Sequence, residues 1–502
     1  MDGRAAGGFL GRIERLGNRL PDPVTIFIVL GALTLVASSI AARLGVAVTH
    51  PVTGARVGVV DLLSFAGLRT VLTGVVTNFT GFAPLGVVLT VMLGIGIAER
   101  SGLLAAVLRA SVTGVPPRLV TPAVVLAGLN SHVAADAGYV VLTPLAALLY
   151  ATLGRHPLAG VAAVFAGVAG GFSANLFLSA LDPMLAGLTQ EAARLWDPSY
   201  TVYATANYWF LAASVPLLTL IGWFVSDRIV EPRLGAWTPP ADVPPLTPLA
   251  PEERAGLRWA GVAVVVALAG VVALALPGAP LRNPETGDLQ PFFTSLVTLL
   301  TVVFALPGIA YGIATGSLRS DRDAAGMMAR AMADMGPYVV LAFFAGQFVA
   351  WFRQSELGLV VAIAGANALR AADLNGVPLL LGFVGFTAAI NLLMASASAK
   401  WAAMAPVFVP MLMALGWSPE VTQALYRVGD SFSNCVTPLN PYFPIVIVAV
   451  QRWAPEVRLG TLLAAMVPYA VAFGVAWSAL AIVWVLLGLP LGPGSPLHYP
   501  PG

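Results

Sequence analysis

Long apolar runs separated by short arginine-bearing stretches organise this chain. A helix that crosses a bilayer needs about 20 mostly apolar residues. Residues 24–42 meet that requirement, and a polar loop over 50–80 precedes a second span at 82–98. The apolar segment 103–112 is too short to cross and is expected to lie at the interface. Two apolar arms, 119–129 and 138–151, then flank the polar island Asn130-Ser131-His132-Val133-Ala134-Ala135-Asp136. Neither arm spans alone, and Arg118 and Arg155 close the outer ends. Residues 119–151 are therefore predicted to enter the membrane, turn at the island and return to the same side. Gly170-Gly171-Phe172-Ser173-Ala174-Asn175 interrupts the next run, 158–181, which predicts a broken helix. That run ends at Leu181-Asp182-Pro183, and 203–225 forms the following span.

A proline-rich linker over 231–256 leads to the second half. Spans are expected at 259–276, 292–315 and 338–352, with a loop carrying Arg319, Arg322 and Arg330 between the last two. A short interfacial piece at 357–369 follows. A second two-armed unit, 378–415, surrounds a polar island of Asn391, Ser396, Ser398, Lys400 and Trp401. A broken span at 419–438 and a final span at 462–487 complete the chain. Arg4, Arg12, Arg15 and Arg19 put the N-terminus in the cytoplasm, and the other arginine-rich loops agree. The predicted fold is all-α and polytopic, with nine transmembrane helices plus two re-entrant helical hairpins in two inverted repeats, 1–230 and 257–502.

The repeat is legible in residues. Asn130 to Pro144 matches Asn391 to Pro406 in its asparagine, small-residue island, apolar arm and proline. Phe172-Ser173-Ala174-Asn175 matches Phe432-Ser433-Asn434, and Leu181-Asp182-Pro183 matches Leu439-Asn440-Pro441. Small residues are common wherever membrane helices pack, but here hairpin and broken helix recur in the same order. The extra span 259–276 between the halves turns the second copy over. Inverted repeats with broken helices at mid-membrane are the pattern of an alternating-access carrier.

Composition narrows the choice. The chain has 502 residues, 58% hydrophobic and only 10% charged, against about 25% charged in soluble domains. A net charge of +2 gives no basis for nucleic-acid binding. Cys435 is the only cysteine, which excludes an intrachain disulfide and a cysteine metal cluster. The first apolar run has no adjoining small-residue cleavage site and reads as a retained span. An ATP-driven pump lacks a Walker sequence. An intramembrane hydrolase built on Ser131, His132 and Asp136 lacks both Gly-x-Ser-x-Gly and His-Glu-x-x-His, and residues so close in sequence make a poor relay. A channel is disfavoured by the discontinuous halves.

Polar groups in hydrocarbon persist only where protein or a wet cavity receives them, which makes each one a candidate. Asp182 is a carboxylate that takes a proton or pairs with a cation, or else caps the segment before Pro183. Arg427 and Asp430 share a helical face: either the arginine forks onto an anionic substrate while Asp430 titrates or steadies it, or the two neutralise each other. Trp401 suits stacking on an aryl ring and Ser398 suits hydrogen bonding beside Asn391, though a lone tryptophan is ordinarily packing. Lys400, the only lysine, is a counter-charge or snorkels. His132 and Asp136 lack a third metal ligand and read as a hydrogen-bonded tip. Asn130, Asn175 and Asn434 offer oxygens to a cation or satisfy backbone freed at the breaks. Pro419 and Pro438 bound the second broken span as hinges or as helix ends.

Asn78-Phe-Thr-Gly-Phe-Ala-Pro-Leu-Gly86, Met92-Leu-Gly-Ile-Gly-Ile-Ala-Glu99, Asn130 to Pro144, Ser396-Ala-Ser-Ala-Lys-Trp401 and Tyr426-Arg-Val-Gly-Asp430 resemble the p-aminobenzoyl-glutamate transporter (AbgT) family across nearly the whole chain. The resemblance implies a dimeric carrier of the bacterial inner membrane with nine spans and two re-entrant hairpins. It implies import of p-aminobenzoyl-glutamate, or export of p-aminobenzoate and sulfonamides driven by the proton motive force. Sodium is also associated with the family, so the coupling ion is H+ or Na+ and no other cofactor is expected. Its pattern treats Asp182 as functional and favours a functional role for Arg427 and Asp430. The expected partners are an aromatic carboxylate, membrane lipid and a second copy of the chain.

Overall fold

The computed structural model describes residues 23–49, 56–113, 115–134, 138–235, 237–238, 243, 248–394, 396–437, 440, 442–455 and 457–499. Among them, seven helices are long and apolar enough to cross a membrane, or up to nine if each of two bent pairs counts as one span. The outer helices leave large side chains uncovered: Trp259, Val262, Val265 and Val266 on Pro251–Leu274, and Val467, Val471 and Val475 on Leu459–Leu486. Water-soluble folds rarely expose contiguous apolar surface on this scale. This is a multi-pass membrane protein.

Helical arms and interruptions stand in the stretches where the sequence puts the hairpins and the breaks. In the first unit, α1 (Val120–Asn130) leads through the turn Ser131–Ala134 and the wide turn Gly138–Leu142 into α2 (Thr143–Thr152). Then α3 (Pro157–Phe165) continues as a wide turn to Gly170, the chain runs irregularly to Ala180, and α4 (Leu181–Ala193) begins. In the second unit α5 (Gly376–Asn391) and α6 (Ala397–Ala414) are the hairpin arms. They are followed by α7 (Pro419–Ser433), an irregular stretch, and α8 (Phe443–Gln451). Leu103–Val112 is a separate short helix, bent 116° from the segment Pro117–Asn130, and Leu357–Ala371 is its counterpart before the second hairpin.

Three stretches depart from the sequence expectation. The loop expected over 50–80 contains the strand Arg56–Gly58, paired with Ala47–Thr49 just before it, and a helix, Phe65–Thr80, capped by Ser64. Its polar character misleads because Thr70, Thr73, Thr77 and Thr80 each donate to a carbonyl three or four residues back. That bond removes the hydroxyl's need for water, while Phe65, Leu72 and Val76 point outward. The arginine-bearing loop after 315 contains the helix Asp321–Asp334, started by a capping box between Ser320 and Asp323. The segments after the breaks, unassigned in the sequence, are α4 and α8.

Two glycines set the close approach of hairpin to broken helix. A Cβ on Gly167 would sit 2.6 Å from the Val125 carbonyl oxygen, and one on Gly429 would sit 2.5 Å from that of Val384. Each side chain would force the first hairpin arm off its broken helix. The breaks themselves touch, because a Cβ on Gly170 would lie 2.4 Å from the Cys435 Sγ.

Candidate functional site

Helix α7 carries Glu420, Gln423, Arg427 and Asp430 along one side and is still almost wholly buried. Ser418 caps it by accepting from the Val421 N–H, and Pro419 stands at its first turn, where a missing N–H does no harm. Its charges therefore require partners inside the protein. Arg427 finds one on α4: its Nη1 lies 2.7 Å from Asp182 Oδ1, and both side chains are 1% exposed. The second carboxylate oxygen of Asp182 accepts from the Ser179 N–H at 2.6 Å and the Ser179 hydroxyl at 2.9 Å. Asp182 occupies the first turn of α4, where the helix dipole favours negative charge.

Asp430, one turn beyond Arg427, pairs with Lys400 of α6 instead, Nζ to Oδ1 at 2.5 Å. Lys400 is fully buried and acts as a counter-charge; it does not snorkel. The mutual Arg427–Asp430 pair that the spacing allows does not form. Each member of that face is taken by a different element, so α4 and α6 are both tied to α7 by charge. Two cations and two carboxylates cancel, which is the condition for holding four charges in an apolar interior.

Asn391 ends the first arm of the second hairpin and joins these pairs to the break. Its Nδ2 reaches the Asp430 carbonyl at 2.9 Å, Ser433 Oγ at 2.8 Å and Asn434 Oδ1 at 2.7 Å, while its Oδ1 accepts from Lys400. Asn130 ends the matching arm of the first hairpin, donating to the Leu126 carbonyl at 2.9 Å and accepting from the Leu176 N–H at 3.0 Å. Each asparagine thus fastens a hairpin tip to the break of its own unit.

Trp401 is buried, stacked on Tyr426 with ring centroids 4.4 Å apart, and donates to Thr189 Oγ1 at 2.9 Å. The Thr189 hydroxyl lies 2.6 Å from Gln423 Oε1. Tyr426 donates to the Ala397 carbonyl at the start of α6 at 2.5 Å. Ser398 is half-buried at the margin, 3.5 Å from the Ser396 hydroxyl. Thr189, Gln423, Tyr426 and Ser433 were not singled out from sequence. Helical spacing carried a signal for them: Thr189 repeats Asp182 two turns on, and Gln423 precedes Arg427 by one turn.

Several buried polar atoms have no partner among the described residues: Arg427 Nε and Nη2, both side-chain atoms of Asn175, Ser173 Oγ and His132 Nε2. Native folds leave few such atoms, and each calls for an explanation such as a bound water or ligand. His132 packs edge-on against Phe172 at 4.7 Å, and Ser131 donates to the Gly128 carbonyl at 2.7 Å, so no serine–histidine relay is present. Asp136 and Pro438 lie outside the described residues. Among those described, no three His, Cys, Asp or Glu side chains gather as a metal site. The arrangement brings Asp182, Asn391, Trp401, Arg427, Asp430 and Asn434 into one network, with Asn130 and Asn175 at the other break.

Residues 8–499 match the model described as "AbgT putative transporter family". The "p-aminobenzoyl-glutamate transport protein" of Escherichia coli (strain K12) is 37% identical over 492 residues, covering 97% of each chain. The crystal structure of the Alcanivorax borkumensis YdaH transporter, reported with an unusual topology, superposes with a TM-score of 0.90 at 45% identity, covering 94% of this chain and 100% of that one. Neisseria gonorrhoeae MtrF, reported to illuminate a class of antimetabolite efflux pumps, superposes with a TM-score of 0.90 at 45% identity over 97% of this chain and 100% of that one.

Proposed function

The chain belongs to the AbgT family of transporters, and from that premise we propose that it is a secondary active transporter of p-aminobenzoate-type aromatic carboxylates or related antimetabolites, sulfonamides among them. The observation that carries the reading is the crossed pair of buried ion pairs, Arg427–Asp182 and Lys400–Asp430. Asp182 occupies only Nη1 of Arg427 and leaves the Nε–Nη2 edge unpartnered. That edge presents two parallel N–H donors, the geometry that forks onto a carboxylate. The Trp401–Tyr426 stack beside it supplies an aromatic wall for the ring, with Ser398 and Asn391 as polar contacts.

Coupling follows from charge. A proton or sodium ion on Asp182 or Asp430 weakens one pair and leaves a buried cation seeking another anion, at a cost of several kcal/mol. A substrate carboxylate on Arg427 answers the same charge, which links substrate binding to the state of the carboxylates. Two units of opposite sense, with Pro419 at the start of α7 as a hinge, would open to opposite faces in turn. Asn130, Asn175 and Asn434 provide oxygen ligands at the breaks. We place the protein as a homodimer in the inner membrane with a cytoplasmic N-terminus.

Import of p-aminobenzoyl-glutamate is the second reading, favoured by what the Escherichia coli relative is called. Reconstitution into liposomes with imposed proton or sodium gradients separates the two. Gradient-driven p-aminobenzoate flux supports the first reading, and p-aminobenzoyl-glutamate flux alone supports the second. Flux of either solute that ignores both gradients rejects the coupled carrier.

A further inference from the structure

Helix α4 has two working faces. Asp182 and Thr189 face Arg427 and Trp401. Pro183, Ala186, Gly187, Gln190 and Arg194 line a separate cavity of 330 Å³, closed on its far side by the loop 201–204 and by residues 290–297. That volume lies within the range of about 300–1,000 Å³ for small-molecule sites.

The lining is chemically selective. Arg194 is half-buried and spends only Nε, donating to the Tyr200 carbonyl at 3.3 Å; it forms no ion pair among the described residues. Glu191, three residues before Arg194 and close enough to feel its charge, lines a different cavity with Arg353, so Arg194 is the charged side chain in this lining. Tyr203 and Phe293 face each other with centroids 5.2 Å apart. Gln190 accepts from the Val202 N–H at 3.2 Å and keeps its amide donors. Thr201 adds a hydroxyl at the exposed rim, where the Thr294 hydroxyl already donates to the Gln290 carbonyl at 2.9 Å. A guanidinium with free terminal N–H groups, two aromatic rings and neutral polar groups match a planar organic anion.

We propose that this cavity is a second binding site, a vestibule that holds an aromatic carboxylate by Arg194, Tyr203 and Phe293 on its way to or from the Arg427 site, with α4 as the shared wall. The assignment rests on the aromatic-carboxylate reading above. The test is equilibrium titration of the purified full-length protein with p-aminobenzoate, comparing wild type with Arg194→Gln, Arg427→Gln and Thr294→Trp, the last a plug at an exposed rim position. Wild type should bind two molecules per chain. Arg194→Gln should weaken one step by roughly ten- to hundredfold, as expected for loss of a charge-assisted hydrogen bond. Thr294→Trp should remove the same step, and Arg427→Gln the other. A single wild-type step, lost in Arg427→Gln and indifferent to the other two changes, overturns the vestibule and leaves the transport reading standing. Absence of any wild-type binding overturns the substrate class and the vestibule with it. Should Arg194→Gln bind nothing, Thr294→Trp decides: one step remaining supports the vestibule, and two overturn it.

Discussion

Arg427 and Asp182 meet at 2.7 Å across the join between the second broken helix and the helix that follows the first break, both withdrawn from solvent. Neither residue has its partner on its own helix, so the contact reports whether the two units are docked. Removing one charge alone strands the other, which costs about 3–5 kcal/mol in a buried pair. Arg427→Ala and Asp182→Ala should each lose gradient-driven flux and melt at lower temperature. The double change Asp182→Asn with Arg427→Gln should recover much of the melting temperature and none of the flux. Wild-type transport in both single alanine variants would refute the site.

Lys400 and Asp430 form the second pair, with Asn391 bridging Lys400 to the Asp430 backbone. Lys400→Met and Asp430→Asn should each be destabilising, and the double variant less so than their sum. A double-mutant cycle on thermal or denaturant stability reads the coupling, expected at about 1–3 kcal/mol for a contacting pair. Additive losses would mean that the pair does not act as a unit.

Gly429 and Gly167 permit hairpin and broken helix to touch. Gly429→Val and Gly167→Val should each cost at least about 1–3 kcal/mol, the range for overpacking. Gly261, with nothing near its missing Cβ, should accept alanine without loss. Equal tolerance at all three positions would show that the close approach is not needed.

Cys435 is the sole cysteine, fully buried in the second break against Gly170 of the first. A membrane-permeant maleimide should label it slowly at rest. If the breaks part during transport, labelling should accelerate several-fold under an imposed gradient with substrate present. An unchanged rate under turnover would place the movement elsewhere.

Trp401 donates to Thr189 and stacks on Tyr426. Trp401→Phe keeps a ring but leaves Thr189 one partner fewer, at about 1 kcal/mol. Thr189→Val also leaves Gln423 Oε1 without this donor and should cost about 1–3 kcal/mol. Denaturant titration of both variants checks the order.

By itself the sequence determined the membrane class and the places where the helices are interrupted. Apolar run length, arginine placement and mid-run Gly, Ser and Asn are local properties that hydrocarbon enforces residue by residue. It misread Phe65–Thr80 because a hydroxyl bonded to its own helix looks like any other hydroxyl in one dimension. Partner choice was decided only by the tertiary structure. Three-residue spacing offered Arg427 to Asp430, yet α4 and α6, packed on α7 from distant parts of the chain, deliver Asp182 and Lys400 instead. A buried charge takes whichever opposite charge the packing delivers, and packing between distant segments leaves no period in the chain.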